Sequence, residues 1–356
     1  MTNKKILFLT NGPNITASSR ARVYNYRPFL EKQGFEITIV PYNMFCNAKF
    51  NAANKKQGFM IKIINKFNQL LKVIFCLLVS FKYDIIVLQR VLLPNFLLKS
   101  IRLLYNRLIF DFDDAIYMAD RWNSPFFGKG KFFRYFQNTL KISDHVIVSN
   151  DTLKEIALKF NSKVSVLLTP VDTQRLVPKL KKDSEKDVVI GWIGSAAATK
   201  YVEPLKDVIE LLIRTYSFLE VKFVGAESLK DWGTNVVFEE WSLENETRDL
   251  QSFDIGIMPL NNDEWSSAKA GYKLLQYMAV GIPCVSSPVG VNKEIIDDGV
   301  TGFLASNYDE WVNKLSILME NRNLRKKMGD EGRKKAESRY SYGVNVEKLV
   351  KILDNI

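Results

Sequence analysis

Residues 268–304 read A-K-A-G-Y-K-L-L-Q-Y-M-A-V-G-I-P-C-V-S-S-P-V-G-V-N-K-E-I-I-D-D-G-V-T-G-F-L. The stretch opens as a polar loop with a glycine and turns into a helix. Leu274, Leu275, Met278 and Ala279 recur at helical spacing, and Gly281 with Pro283 ends the run. Pro283–Ser286 then reads as a short buried strand, Ser287–Gly290 as a turn, and Val300–Leu304 as a second strand. A helix N-terminus favours anions, because its leading N–H groups and its dipole both attract negative charge. Lys269 and Lys273 nevertheless crowd that end, and Gln276 follows on the same face as Lys273. Cations at the unfavourable end of a dipole imply an external anion. The plain alternative is a capped surface helix with ordinary lysines.

Two earlier stretches open a similar unit. Lys5–Thr10 is a buried strand that runs into the polar loop Asn11–Ser19 and then a helix near Arg20. Val188–Tyr201, V-V-I-G-W-I-G-S-A-A-A-T-K-Y, repeats the order strand, glycine turn, helix. Each is the start of a Rossmann-like α/β unit. The first lacks the three-glycine dinucleotide fingerprint, so NAD binding is unsupported. Further strands are expected at Phe35–Pro41, Asp84–Leu88, Leu108–Phe110, Leu219–Val224, Val236–Phe238 and Asp254–Leu260. The 356 residues accommodate two ordinary domains. We expect an N-terminal domain at 1–175, a charged, proline-bearing linker at 176–187, a second domain at 188–340 and a closing amphipathic helix at 341–356.

The composition, 47% hydrophobic and 25% charged, is that of a soluble globular protein. No run approaches the roughly 18 uncharged apolar residues of a membrane span, and M-T-N-K-K leads straight into a strand, so no signal peptide is expected. Cys46, Cys76 and Cys284 are isolated and read as buried thiols of a reducing cytoplasm. Charge is the most telling quantity. Residues 1–180 hold 27 Lys and Arg against 11 Asp and Glu, while the rest hold 23 against 28. An anionic surface partner for the first half follows.

The order helix, M-A-x-G-x-P, strand, S-P-V-G, E-I-I-x-D-G, G-F-L resembles the C-terminal donor-binding region of the retaining glycosyltransferases of family 4. The resemblance implies the GT-B architecture, two Rossmann-like domains facing a central cleft. It also implies a nucleotide-diphosphate sugar, UDP- or GDP-linked, as co-substrate and no further cofactor. The family's two glutamates, eight positions apart, are here Ala268 and Gln276. By the resemblance the second serves the ribose hydroxyls, and an amide can still hydrogen-bond a diol. The first touches the donor sugar, which Ala268 cannot do and Lys269 would have to. A branch of the family shares the K-x-x-x-K-x-x-Q spacing of Lys269, Lys273 and Gln276. In the second glycine turn, Gly194 and Lys200 match the family's diphosphate grip, while Ser195 replaces its arginine. Lys269 or Lys273 would restore that charge. The resemblance also puts the small-residue loop of Gly12, with Arg20 and Arg22 in the following helical turn, opposite the donor phosphates. Solvated surface is the alternative for both arginines. Trp241, in F-E-E-W-S-L, either stacks on the nucleotide base or packs the core. Gly271 and Tyr272, at the helix start beside Lys273, complete the expected donor site.

In the N-terminal half, Asp111-Phe112-Asp113-Asp114 follows a buried strand, where open α/β sheets place their ligand crevice. It resembles the D-x-D-D-A loop of the same family branch. We expect Asp111 to be structural, and Asp113 and Asp114 to serve the acceptor or act as general base. A Mg²⁺ site is the alternative, but the family's GT-B members need no metal, and none is expected here. With Lys273 stabilising the leaving diphosphate, Asp113 and Asp114 are the expected catalytic groups. His145, the only histidine, is expected to be structural. Phe45–Leu108 carries 11 bases and one acid, Asp84. Its segment Met60–Lys82 mixes Lys62, Lys66 and Lys72 with large apolar residues. That suits a helix lying in an anionic membrane interface, or a core helix with snorkelling lysines. Phe126–Phe136, including Phe132, Phe133 and Arg134, suits either a membrane or a nucleic-acid single strand. The expected enzyme therefore moves a hexosyl group, with retention, to a saccharide acceptor, expected to be lipid-linked, in bacterial surface polysaccharide or lipopolysaccharide synthesis. It would act in the cytoplasm, peripherally on the inner face of the membrane, with no nucleic-acid partner. The rival is a non-catalytic nucleic-acid or anionic-membrane binding protein on a degenerate GT-B scaffold.

Overall fold

A computed structural model describes residues 4–43, 55–104, 107–118, 130–178, 187–226, 232 and 235–356. The chain forms two units, Met1–Thr169 with Tyr342–Ile356, and Pro170–Ser341.

Unit 1 is built on six parallel strands: β1 Lys5–Thr10, β2 Glu36–Pro41, β3 Ile85–Gln89, β4 Leu108–Phe112, β5 His145–Val148 and β6 Val164–Val166. They lie in the order β2-β1-β3-β4-β5-β6. Strands β3 and β4 are buried at every residue, as a sheet covered on both faces requires. Right-handed crossovers dictate which helix covers which face. The β1-to-β2 step runs one way across the sheet and every later step runs the other. The helix Arg27–Lys32 therefore covers one face. Its Leu30 shares a core with Ile6, Phe8, Val87 and Ile109, and with Tyr342, Val346 and Leu349 of the last helix, Tyr342–Asp354. The helices Lys55–Val79, Asn95–Leu104, Lys131–Ile142 and Asp151–Leu158 belong to the opposite face by the same rule. The chain direction across the sheet reverses between β1 and β3, and that is where a doubly wound sheet opens its crevice.

Unit 2 repeats the plan with β7 Val188–Ile193, β8 Leu219–Val224, β9 Val236–Glu239, β10 Ile255–Met258, β11 Cys284–Ser286 and β12 Gly302–Leu304. Their order is β12-β11-β10-β7-β8-β9, all parallel, so the reversal falls between β7 and β10. Its core is filled by Trp192, Phe223, Ile190, Val221 and Ile257 with Leu205, Leu212, Trp311 and Leu315 from the helices.

The units divide at Thr169–Pro170, upstream of the expected position 175. The physical reason is that the next residues are bonded to unit 2. Val171 N donates to Tyr340 O (2.8 Å), and Gln251 Nε2 donates to Val177 O (2.7 Å). Most of the expected linker, residues 179–186, lies outside the described residues. Cys76 and Cys284 are buried thiols, and burial pushes Cys76 up to about 12. Cys46 lies outside the described residues. Among the described residues no helix is long and apolar enough to cross a membrane.

Candidate functional site

In unit 2 the helix Tyr272–Ala279 starts from Gly271, whose φ of 67° is left-handed and which offers no side-chain cap. Tyr277 anchors this helix at the reversal. Its buried hydroxyl donates to Ile257 O of β10 (3.1 Å) and accepts from Ile193 N of β7 (3.3 Å). Burial, the largest influence, raises the pKa of this phenol, so it stays a donor. The ring can lie on β10 because Gly256 leaves space: a Cβ there would stand 2.5 Å from it. One strand thus leads into Gly194, and the helix that follows the other presents Lys273 to it. A Cβ on Gly194 would be 3.0 Å from Lys273 Cε.

Three ammonium groups gather here over aromatic faces. Lys273 Nζ lies 5.3 Å from the Trp192 ring centroid. Lys269 Nζ lies 5.3 Å from the Tyr201 ring and 5.7 Å from that of Trp265. Lys200 Nζ lies 5.2 Å from the same Tyr201 ring. Rings hold such cations by their quadrupoles without neutralising them. Lys200 is exposed, Lys269 and Lys273 are half-buried, and Tyr201 is buried. Ser195 is exposed and begins the short 3₁₀ turn Ala196–Tyr201 without capping it. Gln276 is only 4% exposed, and among the described residues no hydrogen bond reaches its side-chain amide. Its amide is not among the fully buried polar atoms that lack a partner, so it keeps access to solvent and can meet a ligand there. Ala268 is fully buried, so the position of the family's first glutamate offers nothing to a ligand.

On the far side of β7, Gly225 approaches Gly194 so closely that a Cβ would meet Gly194 O at 2.2 Å and Trp241 Cβ at 3.0 Å; its φ is 77°. Trp241 is fixed from behind. Its Nε1 donates to Glu246 Oε1 (3.3 Å), and the buried Glu246 is ion-paired with Arg175. The stacking and core-packing alternatives for Trp241 thus meet in a half-buried, oriented ring. Gly194, Lys200, Lys269, Gly271, Lys273 and Trp241 form one neighbourhood of unit 2, with Tyr272 and Gln276 on the same helix as Lys273. The Glu246–Arg175 support spans 71 residues and leaves no local signal in the sequence.

The unit 1 crevice is a hydrogen-bonded network. Gln89, buried at the end of β3, accepts from Asn11 N (3.3 Å) and Ser19 Oγ (2.8 Å) and donates to Ser18 Oγ (2.8 Å). Gly12 N donates to Ser19 Oγ (3.1 Å), so Gly12 is part of this braced loop. Ser18 Oγ in turn donates to Asp113 Oδ1 (2.8 Å). Arg90 approaches Asp113 at 3.3 Å and Asp114 at 3.7 Å, and its φ of 54° is left-handed, which is uncommon for a side-chain-bearing residue. Asp111 is structural, as expected: Arg22 grips it with two bonds, 2.7 and 2.6 Å, and also donates to Leu167 O and Thr169 Oγ1. This corrects both sequence alternatives for Arg22. Arg20 likewise is neither solvated nor open to a phosphate. It is 2% exposed and donates to the loop carbonyls of Asn14 and Ile15. Gln89 and Arg90 directly follow the expected strand Asp84–Leu88, but nothing in their spacing announces these partners.

His145 opens β5 and bonds Ser165 Oγ through Nε2 (2.9 Å). Burial, and then Lys163, lower its pKa. Among the described residues no group of three or more His, Cys, Asp or Glu is placed to hold a metal ion.

Of the expected membrane residues, Lys72 is turned inward, donating to Pro41 O; the side chains of Lys62 and Lys66 lie outside the described residues. The helix Lys55–Val79 has both buried and exposed apolar positions. Val73 and Cys76 are buried, while Ile64, Phe67, Leu71, Ile74, Phe75 and Leu78 are exposed. Phe132, Phe133 and Arg134 are exposed on the next helix but one.

Residues 187–321 match the family described as Glycosyl transferases group 1. The fold is similar to that of sucrose-phosphate synthase from Thermosynechococcus elongatus, with TM-score 0.74 and 12% identity over 99% of both chains. It is similar to Anabaena HepE in complex with UDP and glucose, with TM-score 0.67 and 13% identity over 100% of both chains. A glycosyltransferase from Rickettsia africae gives TM-score 0.67 and 15% identity over 99% of this chain and 98% of that one. A search of curated protein sequences returns no match.

Proposed function

We propose that the chain, whose residues 187–321 match the group 1 glycosyl transferases and whose fold is GT-B, transfers a sugar from a nucleotide-diphosphate sugar to a saccharide acceptor. The observation that carries this is that Lys273 lies against Gly194 while Lys200 and Lys269 share the Tyr201 ring, at the carboxyl-end reversal of unit 2. Breaking the sugar–diphosphate bond leaves growing negative charge on the diphosphate. Fixed cations already in place stabilise that charge more than they stabilise the ground state. Trp241 supplies a ring for the base, and the Gln276 amide supplies hydrogen bonds for the ribose diol. UDP is the favoured nucleotide, since HepE binds UDP and UDP-glucose.

Asp113 and Asp114 are the proposed acceptor-side groups. Their pairing with Arg90 holds them in place as hydrogen-bond acceptors for a hydroxyl. The transfer is proposed to be of a hexosyl group with retention, and to run without a metal cofactor. The basic charge of residues 1–180 and the exposed apolar stripe of Lys55–Val79 support a lipid-linked acceptor at the cytoplasmic face of the inner membrane, in surface polysaccharide or lipopolysaccharide synthesis. The test is a thermal-shift series with nucleoside diphosphates, followed by acceptor-free hydrolysis of UDP- and GDP-sugars with and without EDTA. Stabilisation by UDP and slow, EDTA-resistant hydrolysis are expected. Stabilisation by oligonucleotides and by no nucleotide would replace the enzyme with a binding protein.

A further inference from the structure

Residues that directly precede a parallel strand lie at the amino-terminal edge of its sheet, opposite the crevice. In unit 1 that edge holds a cleft of about 440 Å³ lined by Arg102, Lys141, Ser143, Asp144, Asn161, Lys163 and their neighbours. Asp144 precedes β5 and Lys163 precedes β6. The one carboxylate is fully engaged. Asp144 accepts from Arg102 Nη2 and from Leu108 N, each at 2.7 Å. Asn161 Nδ2 ties the floor by donating to Leu140 O and Ser143 O, each at 2.8 Å. The cleft therefore holds three cations to one acid, and with Arg102 paired to Asp144 the excess charge is that of Lys141 and Lys163. Lys141 Nζ lies 6.0 Å from the Phe160 ring centroid, and Phe133 packs edge-on to that ring at 6.4 Å.

The surroundings are apolar and exposed. Leu103 and Leu104 follow Arg102 directly and are 87% and 56% exposed; Phe81, just before β3, is 79% exposed. The short 3₁₀ turn Ser80–Lys82, which carries Phe81, touches the helix Asn95–Leu104. Single exposed leucines are ordinary, but a cluster at adjoining helix ends beside a basic cleft marks a site. A cleft for a soluble phosphate ester has no use for such a rim. A single-stranded nucleic acid would want an open aromatic face inside the cleft, and the one aromatic among the described residues that line it, Phe160, is already engaged by Phe133 and Lys141. Apolar side chains flanking bases fit the boundary between headgroups and acyl chains.

We propose that this cleft binds the phosphate headgroup of an anionic phospholipid while Phe81, Leu103 and Leu104 enter the bilayer boundary. The inference rests on the membrane part of the function proposed above and gives it an address distinct from the crevice.

The test is co-sedimentation of the full chain with phosphatidylcholine vesicles with and without phosphatidylglycerol, with the UDP thermal shift and donor hydrolysis read on the same preparations. Lys141→Gln with Lys163→Gln should weaken binding to the anionic vesicles roughly 30-fold, each base contributing about fivefold. Replacing both lysines by arginine should preserve binding, and Phe81→Ser with Leu103→Ser should weaken it as well. All variants should keep the UDP shift. Wild-type indifference to anionic vesicles, or lysine variants within about threefold of wild type, overturns the proposal. So does competition by soluble glycerol phosphate when the serine variants bind as wild type, which assigns the cleft to a free phosphate ester. Oligonucleotide binding lost in the glutamine pair assigns it to nucleic acid and overturns it too. Cleft-dependent vesicle binding without any donor hydrolysis would sink the transferase reading and leave this inference standing.

Discussion

At the scale of single residues, Lys273 holds the most exact position. Its stem passes Gly194 and its ammonium rests on Trp192, so it is aimed before any ligand arrives. Removing one such preorganised group should lower turnover about a hundredfold or more. Lys273→Ala is expected to do so with its melting temperature little changed, and activity within about threefold of wild type would remove it from the diphosphate site. Arg20 and Arg22 give the opposite lesson. Their charge looked available in the sequence, yet both are buried on partners far along the chain or on the loop's own carbonyls. The solitary histidine offers a clean pH experiment. Burial and Lys163 lower the pKa of His145, so the folded chain prefers the neutral ring. The stability this contributes is full above the unfolded value of about 6.5 and is lost as pH falls through the lower folded value. The melting temperature should therefore drop less from pH 7.5 to 5.5 in His145→Gln than in wild type. Equal drops would mean that the ring does not respond to its burial.

At the scale of elements, the helix Tyr272–Ala279 is the organising piece of unit 2, and Tyr277 is what holds it. The phenol joins β7 to β10, the two strands that flank the crevice. Tyr277→Phe leaves a buried N–H and a buried C=O without that partner, which should cost about 1–3 kcal/mol. Urea denaturation should show a lower midpoint with an unchanged slope, and nucleotide affinity should fall with it, because Lys273 rides on the same helix. An unshifted midpoint would show that the hydroxyl is dispensable. This helix was legible in the sequence from its apolar spacing and its glycine and proline stop, as were β1 and β8 to the residue. Buried parallel strands announce themselves as short apolar runs. What was illegible was the long-range polar wiring. The bonds of Arg22 to Asp111, Arg175 to Glu246 and Gln89 to Ser19 join positions 70 to 89 residues apart. Periodicity carries no record of such pairs. Lys72 shows the same limit: a lysine in a basic, apolar helix reads as surface, and only the fold brings the Pro41 carbonyl within its reach.

At the scale of the whole molecule, the charge is unequally shared, with 27 bases against 11 acids in residues 1–180 and 23 against 28 beyond. The two proposed anionic ligands should therefore respond differently to salt. Attraction between an exposed basic face and an anionic bilayer acts across solvent. It weakens as the Debye length shrinks from about 10 Å at 0.1 M to about 3 Å at 1 M salt. The apolar rim of Phe81, Leu103 and Leu104 is not screened, so release should be partial rather than complete. A diphosphate held against half-buried Lys269 and Lys273, by contrast, meets its cations at contact distance, where screening is much weaker. Raising the salt from 0.1 to 1 M should accordingly release most of the protein from phosphatidylglycerol-containing vesicles while the UDP-induced rise in melting temperature persists, somewhat reduced. If the two signals fall in parallel, vesicles and nucleotide are competing for one set of lysines. If vesicle binding ignores salt, the excess charge of the first half takes no part in it, and the apolar rim alone must carry the attachment.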